Sequence, residues 1–180
     1  MTPRIISVIG RKNAGKTGLV VALAREWHRQ GRRVATIKHA EHRPDVDQPG
    51  SDSWRHFHEG LVNGVLVATP DLRVLMERRS DNTDPEALAR SLFPEADIVI
   101  VEGFQHTSLP KIEVQRKVIG PPLYDPTAAD ANQWVAIVTD DHGLDARCRV
   151  VRFTDTMWPQ LLGSLAWEHA KLLTAAPRAS

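Results

Sequence analysis

Eight consecutive residues near the beginning of the sequence form a pattern that binds phosphate. Residues 10–17 match the spacing G-x-x-x-x-G-K-[ST] at every fixed position. The two glycines permit a tight loop whose backbone N–H groups point inward, toward phosphate oxygens. Lys16 can reach the terminal phosphates of a nucleotide, and the Thr17 hydroxyl can ligate Mg²⁺. The pattern predicts a nucleotide site formed by Gly10, Arg11, Lys12, Asn13, Ala14, Gly15, Lys16 and Thr17, called the phosphate loop below.

The segments around the phosphate loop have the patterns of the elements that must position it. Residues 5–9 form a short β-branched run, which predicts a buried strand, and residues 16–30 carry apolar side chains at helical spacing. A second strand is expected over residues 33–38, which completes a βαβ unit. Further strands are predicted over 64–68, 72–77, 96–101, 111–114, 134–138 and 149–153, and helices over 51–60, 84–93 and 155–173.

This alternation of strands and helices predicts the fold class. We expect an α/β protein of the P-loop NTPase type, with a mainly parallel sheet flanked by helices in three layers, αβα. The sequence has 180 residues and shows no segment with the composition of a linker. Residues 1–174 are therefore predicted to form a single nucleotide-binding domain, and residues 175–180 a disordered tail.

The composition excludes several classes of protein. There are 23 Lys and Arg against 22 Asp and Glu, so the protein lacks the basic excess of a general nucleic-acid or membrane-surface binder. No stretch reaches the ~20 apolar residues that a transmembrane helix needs, and the first residues do not resemble a signal peptide. A single cysteine, Cys148, excludes an internal disulfide. We expect a cytoplasmic protein without nucleic-acid or membrane partners.

A site for magnesium and a nucleotide also needs a carboxylate, and Glu102 is the leading candidate. The most apolar predicted strand ends at Glu102, at the carboxyl edge of the sheet, where α/β proteins bind ligands. Asp97 begins the same strand, so it is expected at the opposite edge. The alternative is that Glu102 is a solvated acid at the end of a strand.

A second group of polar residues follows the second strand. Lys38 leaves that strand at the edge of the phosphate loop, and either Lys38 or Arg55 is predicted to contact phosphate or substrate. Asp47 or Asp52 is a candidate for holding a metal-bound water, while a mobile, solvated loop is the alternative. His39 and His42 with Asp47 would also suit a zinc site, although the spacing alone is weak support. Other titratable residues of this segment include Asp45, His56 and His58.

Taken together, these residues resemble the MobB family. The resemblance covers roughly residues 4–140, and only the phosphate loop is shared with many other families. After that loop, the motifs are Ile37-Lys38-His39-x-x-His42, Asp47-x-Pro49-Gly50-x-Asp52-Ser53-x-Arg55, Val101-Glu102-Gly103-Phe104 and Pro110-Lys111-Ile112-Glu113-Val114.

The resemblance implies a GTP-binding, weakly hydrolytic and dimeric protein. MobB-like proteins assist MobA, a guanylyltransferase that joins GMP to molybdopterin to make the dinucleotide form of the molybdenum cofactor. By resemblance, Gly15, Lys16 and Thr17 would bind the GTP phosphates and Mg²⁺, and Glu102 would lie in the metal region. From the residues themselves, Lys16, Glu102 and Asp47 are our candidates for hydrolysis, and Thr17, Glu102 and Asp47 for holding the metal. Family members usually have lysine after Val-Glu-Gly-Phe, whereas this sequence has Gln105. Candidate residues for the subunit contact are Trp134, Trp158 and Trp167.

The residue that recognises the base remains open at this stage. Asp140 and Asp141 end a late strand, at a position where related nucleotide-binding folds carry a base-reading aspartate. Either carboxylate would accept hydrogen bonds from N1 and N2 of guanine, although the lysine-containing signature that usually accompanies this aspartate is absent. Asp140 is our candidate.

Two other functions would use the same phosphate loop. The first is a small-molecule kinase that uses ATP, which normally closes an arginine-bearing lid over the transferred phosphate. The pairs Arg78-Arg79 and Arg116-Lys117 are the candidates for such a lid, but their placement in the sequence is not convincing. The second is a nucleotide-gated binding protein with negligible chemistry.

Overall fold

A mainly parallel sheet carries the phosphate loop in the computed structural model. The chain forms two compact units, of which the first contains residues 2–39 and 84–174 and the second lies within residues 40–79. The predicted single domain over 1–174 stays a prediction, and the predicted tail at 175–180 lies outside the described residues. The structure describes residues 2–40, 42–79 and 84–174.

The secondary-structure elements follow the sequence-based predictions closely, with shifts of one or two residues at most ends. In chain order they are β1 (Arg4–Ile9), α1 (Lys16–Arg29), β2 (Val34–Lys38), α2 (Asp52–His58), β3 (Gly64–Ala68), β4 (Arg73–Glu77), α3 (Pro85–Leu92), β5 (Ile98–Glu102), β6 (Lys111–Gln115), β7 (Trp134–Thr139), β8 (Arg149–Arg152), α4 (Trp158–His169) and β9 (Lys171–Leu172).

Six parallel strands form the body of the sheet, in the order β2-β5-β1-β6-β7-β8. One face packs against α1 and α4, and the opposite face of β1 and β5 packs against α3. The predicted fold class, a mainly parallel sheet flanked by helices in three layers, is confirmed. Parallel strands require crossover connections, which place helices on both faces of such a sheet.

The neighbouring strands β2, β5 and β1 position the polar residues at their carboxyl ends. Every residue of β5 is buried between β1 and β2, which explains its continuous apolar sequence. In the strand register, Glu102 at the end of β5 lies opposite Val8 of β1 on one side and Lys38 of β2 on the other. The carboxyl ends of the three strands therefore bring the phosphate loop, Glu102 and Lys38 to one edge.

The C-terminal helix is shorter than predicted. We expected a helix over residues 155–173, whereas α4 ends at His169 and the chain becomes extended at Ala170. Lys171 and Leu172 then pair antiparallel with the first residues of β1. They do so because β6 pairs with β1 only from Ser7 onward, which leaves the beginning of β1 open on that side.

The second unit contains the short helix α2 and the strands β3 and β4, which were predicted and which pair as an antiparallel hairpin. Ser51 caps α2, since its side chain accepts a hydrogen bond from the backbone N–H of Trp54. The side chain of Phe57 is buried, and the guanidinium groups of Arg43 and Arg78 lie over its ring. Arg78 also donates to the backbone carbonyls of Val62 and Phe57. Arg78, a candidate for a kinase lid, therefore braces this unit internally.

Asp97 lies at the amino end of β5, at the edge opposite the phosphate loop, as predicted. Its carboxylate accepts hydrogen bonds from the backbone N–H of Arg33 at 2.8 Å and from the guanidinium of the same residue at 3.2 Å. These two bonds, the backbone one first, lower the pKa of Asp97 below its ordinary value of 3.8. The carboxylate thus links β5 to the segment that enters β2.

Asp97→Asn is expected to destabilise the protein more at pH 7 than near pH 3. A carboxyl group with a lowered pKa in the folded state stabilises it above the ordinary pKa, and this contribution disappears as the pH falls through the folded value. Urea unfolding at both pH values measures the change. Glu95→Gln is the control, because Glu95 is an exposed partner of the same arginine and should matter little at either pH. An equal loss for Asp97→Asn at both pH values would contradict the assignment.

Candidate nucleotide-binding site

Glycine conformations shape the phosphate loop. Gly10, Asn13 and Gly15 have positive φ angles of 145°, 65° and 101°. A Cβ atom at Gly10 would lie 2.4 Å from the carbonyl oxygen of Val114, so only glycine allows β1 to leave the sheet so close to β6. Gly15 is the N-cap of α1 and offers no side chain to its first N–H groups. Those groups are therefore free for an anion.

The Lys16 side chain folds back over the phosphate loop. Its ammonium donates to the carbonyl oxygens of Gly10 at 2.9 Å and Arg11 at 3.0 Å. The side chain is partly exposed, and both carbonyls belong to the phosphate loop. The positive charge is thus positioned over the loop backbone, where a phosphate group would lie.

Thr17, Glu102 and Lys38 meet beside the phosphate loop. The Thr17 hydroxyl contacts both carboxylate oxygens of Glu102, at 3.0 and 3.1 Å. The Lys38 ammonium lies 3.3 Å from one of them. Glu102 is only 8% exposed, so it is not a solvated acid at the end of a strand. Three elements, α1, β2 and β5, therefore supply one side chain each to a single polar cluster.

The donor atoms of this cluster suit magnesium. A hydroxyl and a carboxylate are hard oxygen ligands, and Mg²⁺ usually takes only one or two carboxylates from a protein and keeps several waters. The alternative zinc site has no support, since no three His, Cys, Asp or Glu side chains converge within residues 2–40, 42–79 and 84–174.

Ser7 is a site residue that the sequence analysis missed. It is fully buried in β1, and its hydroxyl donates to the carbonyl oxygen of Gly103 at 2.8 Å. The backbone N–H of Gly103 in turn donates to Val8, and that of His39 donates to Glu102. These bonds fix the turn that follows Glu102 against the ends of β1 and β2. The only signal in the sequence was one hydroxyl within an otherwise apolar strand.

A second polar cluster lies on the other side of the phosphate loop. The Arg116 guanidinium donates to the carbonyl oxygen of Ala14 at 3.2 Å and to the Asp140 carboxylate at 3.4 Å. Asp140 also accepts from the backbone N–H of Lys117 at 2.8 Å, and this bond, followed by the charge of Arg116, lowers its pKa. The neighbouring Asp141 pairs with the Lys117 ammonium at 3.2 Å. Asp140, the candidate base reader, is thus connected to the phosphate loop through Arg116.

Asp47 belongs to the second unit. Its carboxylate accepts hydrogen bonds from the backbone N–H of Gln48 and the hydroxyl of Ser51, near the beginning of α2. Burial raises the pKa of Asp47, but the bonds from Ser53, Ser51 and Gln48 together lower it more. The roles predicted for Asp47, and for Asp52 and Arg55 on α2, stay predictions.

None of the helices within residues 2–40, 42–79 and 84–174 is both long enough and apolar enough to span a membrane.

Solved structures with the same fold carry MobB names. The structure of Bacillus subtilis MobB has a TM-score of 0.67 at 19% sequence identity, and the match covers 90% of this chain and 97% of that one. A MobB homologue from Bacillus stearothermophilus has a TM-score of 0.63 at 21% identity, with 89% and 97% covered. At these identities the likeness establishes the fold, an α/β fold like that of P-loop NTPases.

The sequence of this chain is also similar to those of named adapter proteins. The molybdopterin-guanine dinucleotide biosynthesis adapter protein of Haemophilus influenzae is 29% identical over 142 residues, which are 78% of this chain and 76% of that protein. The adapter protein of Escherichia coli is 34% identical over 109 residues, 59% and 62% of the two chains. The family model described as molybdopterin guanine dinucleotide synthesis protein B matches residues 5–140, which include every residue of both polar clusters except Asp141. This chain belongs to the MobB family.

Proposed function

We propose that this protein binds GTP with Mg²⁺ and is an accessory protein of molybdopterin-guanine dinucleotide biosynthesis in the cytoplasm, where it assists a MobA-type guanylyltransferase. The observation that carries the nucleotide part is the contact of Thr17 with the buried Glu102 beside the phosphate loop. Membership of the MobB family and the adapter names of the relatives support the part played in biosynthesis.

Each residue near the loop has a proposed task. The N–H groups of the phosphate loop and the Lys16 ammonium would hold the terminal phosphates, and the Lys38 ammonium would add positive charge beside them. Thr17 and Glu102 would hold Mg²⁺, which neutralises the charge of phosphate oxygens when bound. Asp140 would accept hydrogen bonds from guanine.

Hydrolysis of GTP is proposed to be weak. Lys16 and Glu102 lie on regular elements, α1 and β5, whereas Asp47 lies in a segment without regular secondary structure. A loop holds a reacting water less rigidly than a strand end does, and a misplacement of about 1 Å can cost ~100-fold in rate. This difference supports slow turnover and an accessory role.

Calorimetric titration with GTP and with ATP, each with and without Mg²⁺, tests the nucleotide part. We expect GTP to bind more tightly than ATP and Mg²⁺ to strengthen the binding of GTP. Addition of the protein to a purified MobA-type enzyme should then raise the yield of the dinucleotide. Tighter binding of ATP together with phosphoryl transfer to a small acceptor would instead establish the kinase alternative.

The proposed homodimer is supported by the surface of the second unit. Of the tryptophans named from the sequence, Trp134 is buried, and Trp158 and Trp167 are partly buried against the core. The hairpin β3–β4 instead carries Leu66 and Leu75 opposite one another, 59% and 58% exposed. A two-stranded sheet is marginally stable by itself in water. We therefore place a second copy of the chain on this face.

Leu66→Asp is expected to convert a dimer into a monomer, because a carboxylate cannot be buried against apolar side chains without a large desolvation cost. Light scattering at micromolar concentrations should give twice the chain mass of 20.1 kDa for the native protein and the single mass for the variant. Leu92→Asp, a comparably exposed position on α3, is the control and should remain dimeric. A native protein of single mass would exclude the dimer, and a dimeric Leu66→Asp would exclude this face.

A further inference from the structure

If the proposed function holds, the contact between Thr17 and Glu102 indicates which end of a bound nucleotide lies on which side of β1. Thr17 and Glu102 lie on the β5 side of β1, so the terminal phosphates belong on that side. Strand β6 lies on the other side of β1, followed by β7 and β8. A nucleotide whose phosphates follow the loop therefore places its base over the carboxyl ends of these three strands.

Arg116 occupies that edge and is held from three directions. It comes directly after β6, and its guanidinium contacts Ala14 of the phosphate loop and Asp140 after β7. Its central carbon also lies 3.8 Å from the centre of the Phe153 ring, directly after β8. A guanidinium fixed on an aromatic face is flat and has little freedom to rotate.

The Arg116 side chain is partly open to solvent. Phe153 covers one face of the guanidinium, and about one third of the side chain (33%) remains exposed. Gly15 has no side chain on the loop side, where a Cβ atom would lie 3.7 Å from the guanidinium. The partly exposed carboxylate of Asp140 borders the same space and offers hydrogen-bond acceptors at its rim.

We propose that Arg116, supported by Phe153, stacks on the purine base of the bound nucleotide, while Asp140 accepts hydrogen bonds from the edge of that base. The lysine that usually accompanies a base-reading aspartate is absent beside Asp140. Arg116, which follows a different strand, supplies a positive charge there instead. Its hydrogen bond to Ala14 sets the stacking plane relative to the phosphate loop. Arg116 is thus a positioning and specificity residue that phosphate binding itself does not need.

The inference is tested with two probes, GTP and inorganic tripolyphosphate, because the second carries phosphates without a base. Arg116→Lys keeps the charge but loses the planar group, so its affinity for GTP should fall about tenfold or more while its affinity for tripolyphosphate stays within about twofold. Phe153→Leu should show the same pattern to a smaller degree. Arg25→Ala is the control, because it removes an exposed cation of α1 outside both polar clusters and should leave both affinities nearly unchanged.

The outcomes separate the inference from the proposed function. Equal losses for GTP and tripolyphosphate in Arg116→Lys would show that Arg116 only braces the phosphate loop, and unchanged binding of GTP would show that it does not contact the base. Either result overturns the inference. A native protein that binds neither probe overturns the proposed function, and this inference with it. Urea midpoints close to that of the native protein establish that the variants are folded.

Discussion

Replacement of Lys16 by alanine is expected to weaken the binding of GTP by at least about 100-fold while the protein remains folded. The Lys16 ammonium lies over the loop backbone, bonded to the carbonyl oxygens of Gly10 and Arg11. Hydrogen bonds between charged groups contribute about 1.5–3 kcal/mol each, and ~2.7 kcal/mol corresponds to a factor of about 100 in affinity. In the folded protein the Lys16 ammonium is partly exposed and bonds to these two backbone carbonyls, so stability should change little.

Calorimetric titration with GTP and Mg²⁺ measures the loss, and a urea unfolding curve checks the fold. Arg25→Ala is the matched control, because it removes one exposed positive charge from the same helix, nine residues further on. That distance is roughly 13 Å along the helix axis, beyond the reach of the phosphates. Unchanged affinity in a folded Lys16→Ala variant would falsify the assignment of the phosphate loop.

The second large effect is expected for Glu102→Gln. The amide has nearly the shape of the carboxylate and can still accept the Thr17 hydrogen bond, but it has no negative charge for a cation. Without Mg²⁺ the variant should bind GTP at least as well as the native protein, since a negative charge near the phosphates has been removed. With Mg²⁺ it should lose most of the gain in affinity, together with the weak hydrolysis.

Asp47→Asn serves as the comparison for Glu102→Gln. Glu102 is buried at a strand end and touches Thr17, whereas the Asp47 carboxylate is bonded to Gln48 and Ser51 of its own unit. The smaller effect is therefore expected for Asp47→Asn when GTP is titrated with and without Mg²⁺. A silent Glu102→Gln combined with a damaging Asp47→Asn would move the metal carboxylate to Asp47.

The placement of the phosphate loop and of Glu102 could be predicted from the sequence, because the interactions involved are local or follow from the order of elements. The phosphate loop depends on residues 10–17 alone, where glycine spacing dictates the backbone. Glu102 could be placed because a continuous apolar run must be a central strand, and central parallel strands end at the ligand-binding edge. The same argument put Asp97 at the opposite edge, where the structure has it.

The strand order and the packing of distant segments could not be predicted in this way. Arg116, Asp140 and Phe153 are far apart in the sequence and meet only because β6, β7 and β8 are neighbours in the sheet. The end of α4 was likewise decided by the open edge at the beginning of β1, which lies more than 160 residues away in the chain.

The sequence by itself thus determined the fold class, the phosphate loop and the carboxylate beside Thr17, since short-range backbone rules and hydrophobic periodicity govern these features. Only the tertiary structure decided that the Lys38 ammonium pairs with Glu102 and that Arg116 joins the loop to the far side of the sheet. These contacts depend on which strands become neighbours, and strand pairing reflects the burial of the whole core rather than the pattern of any one segment.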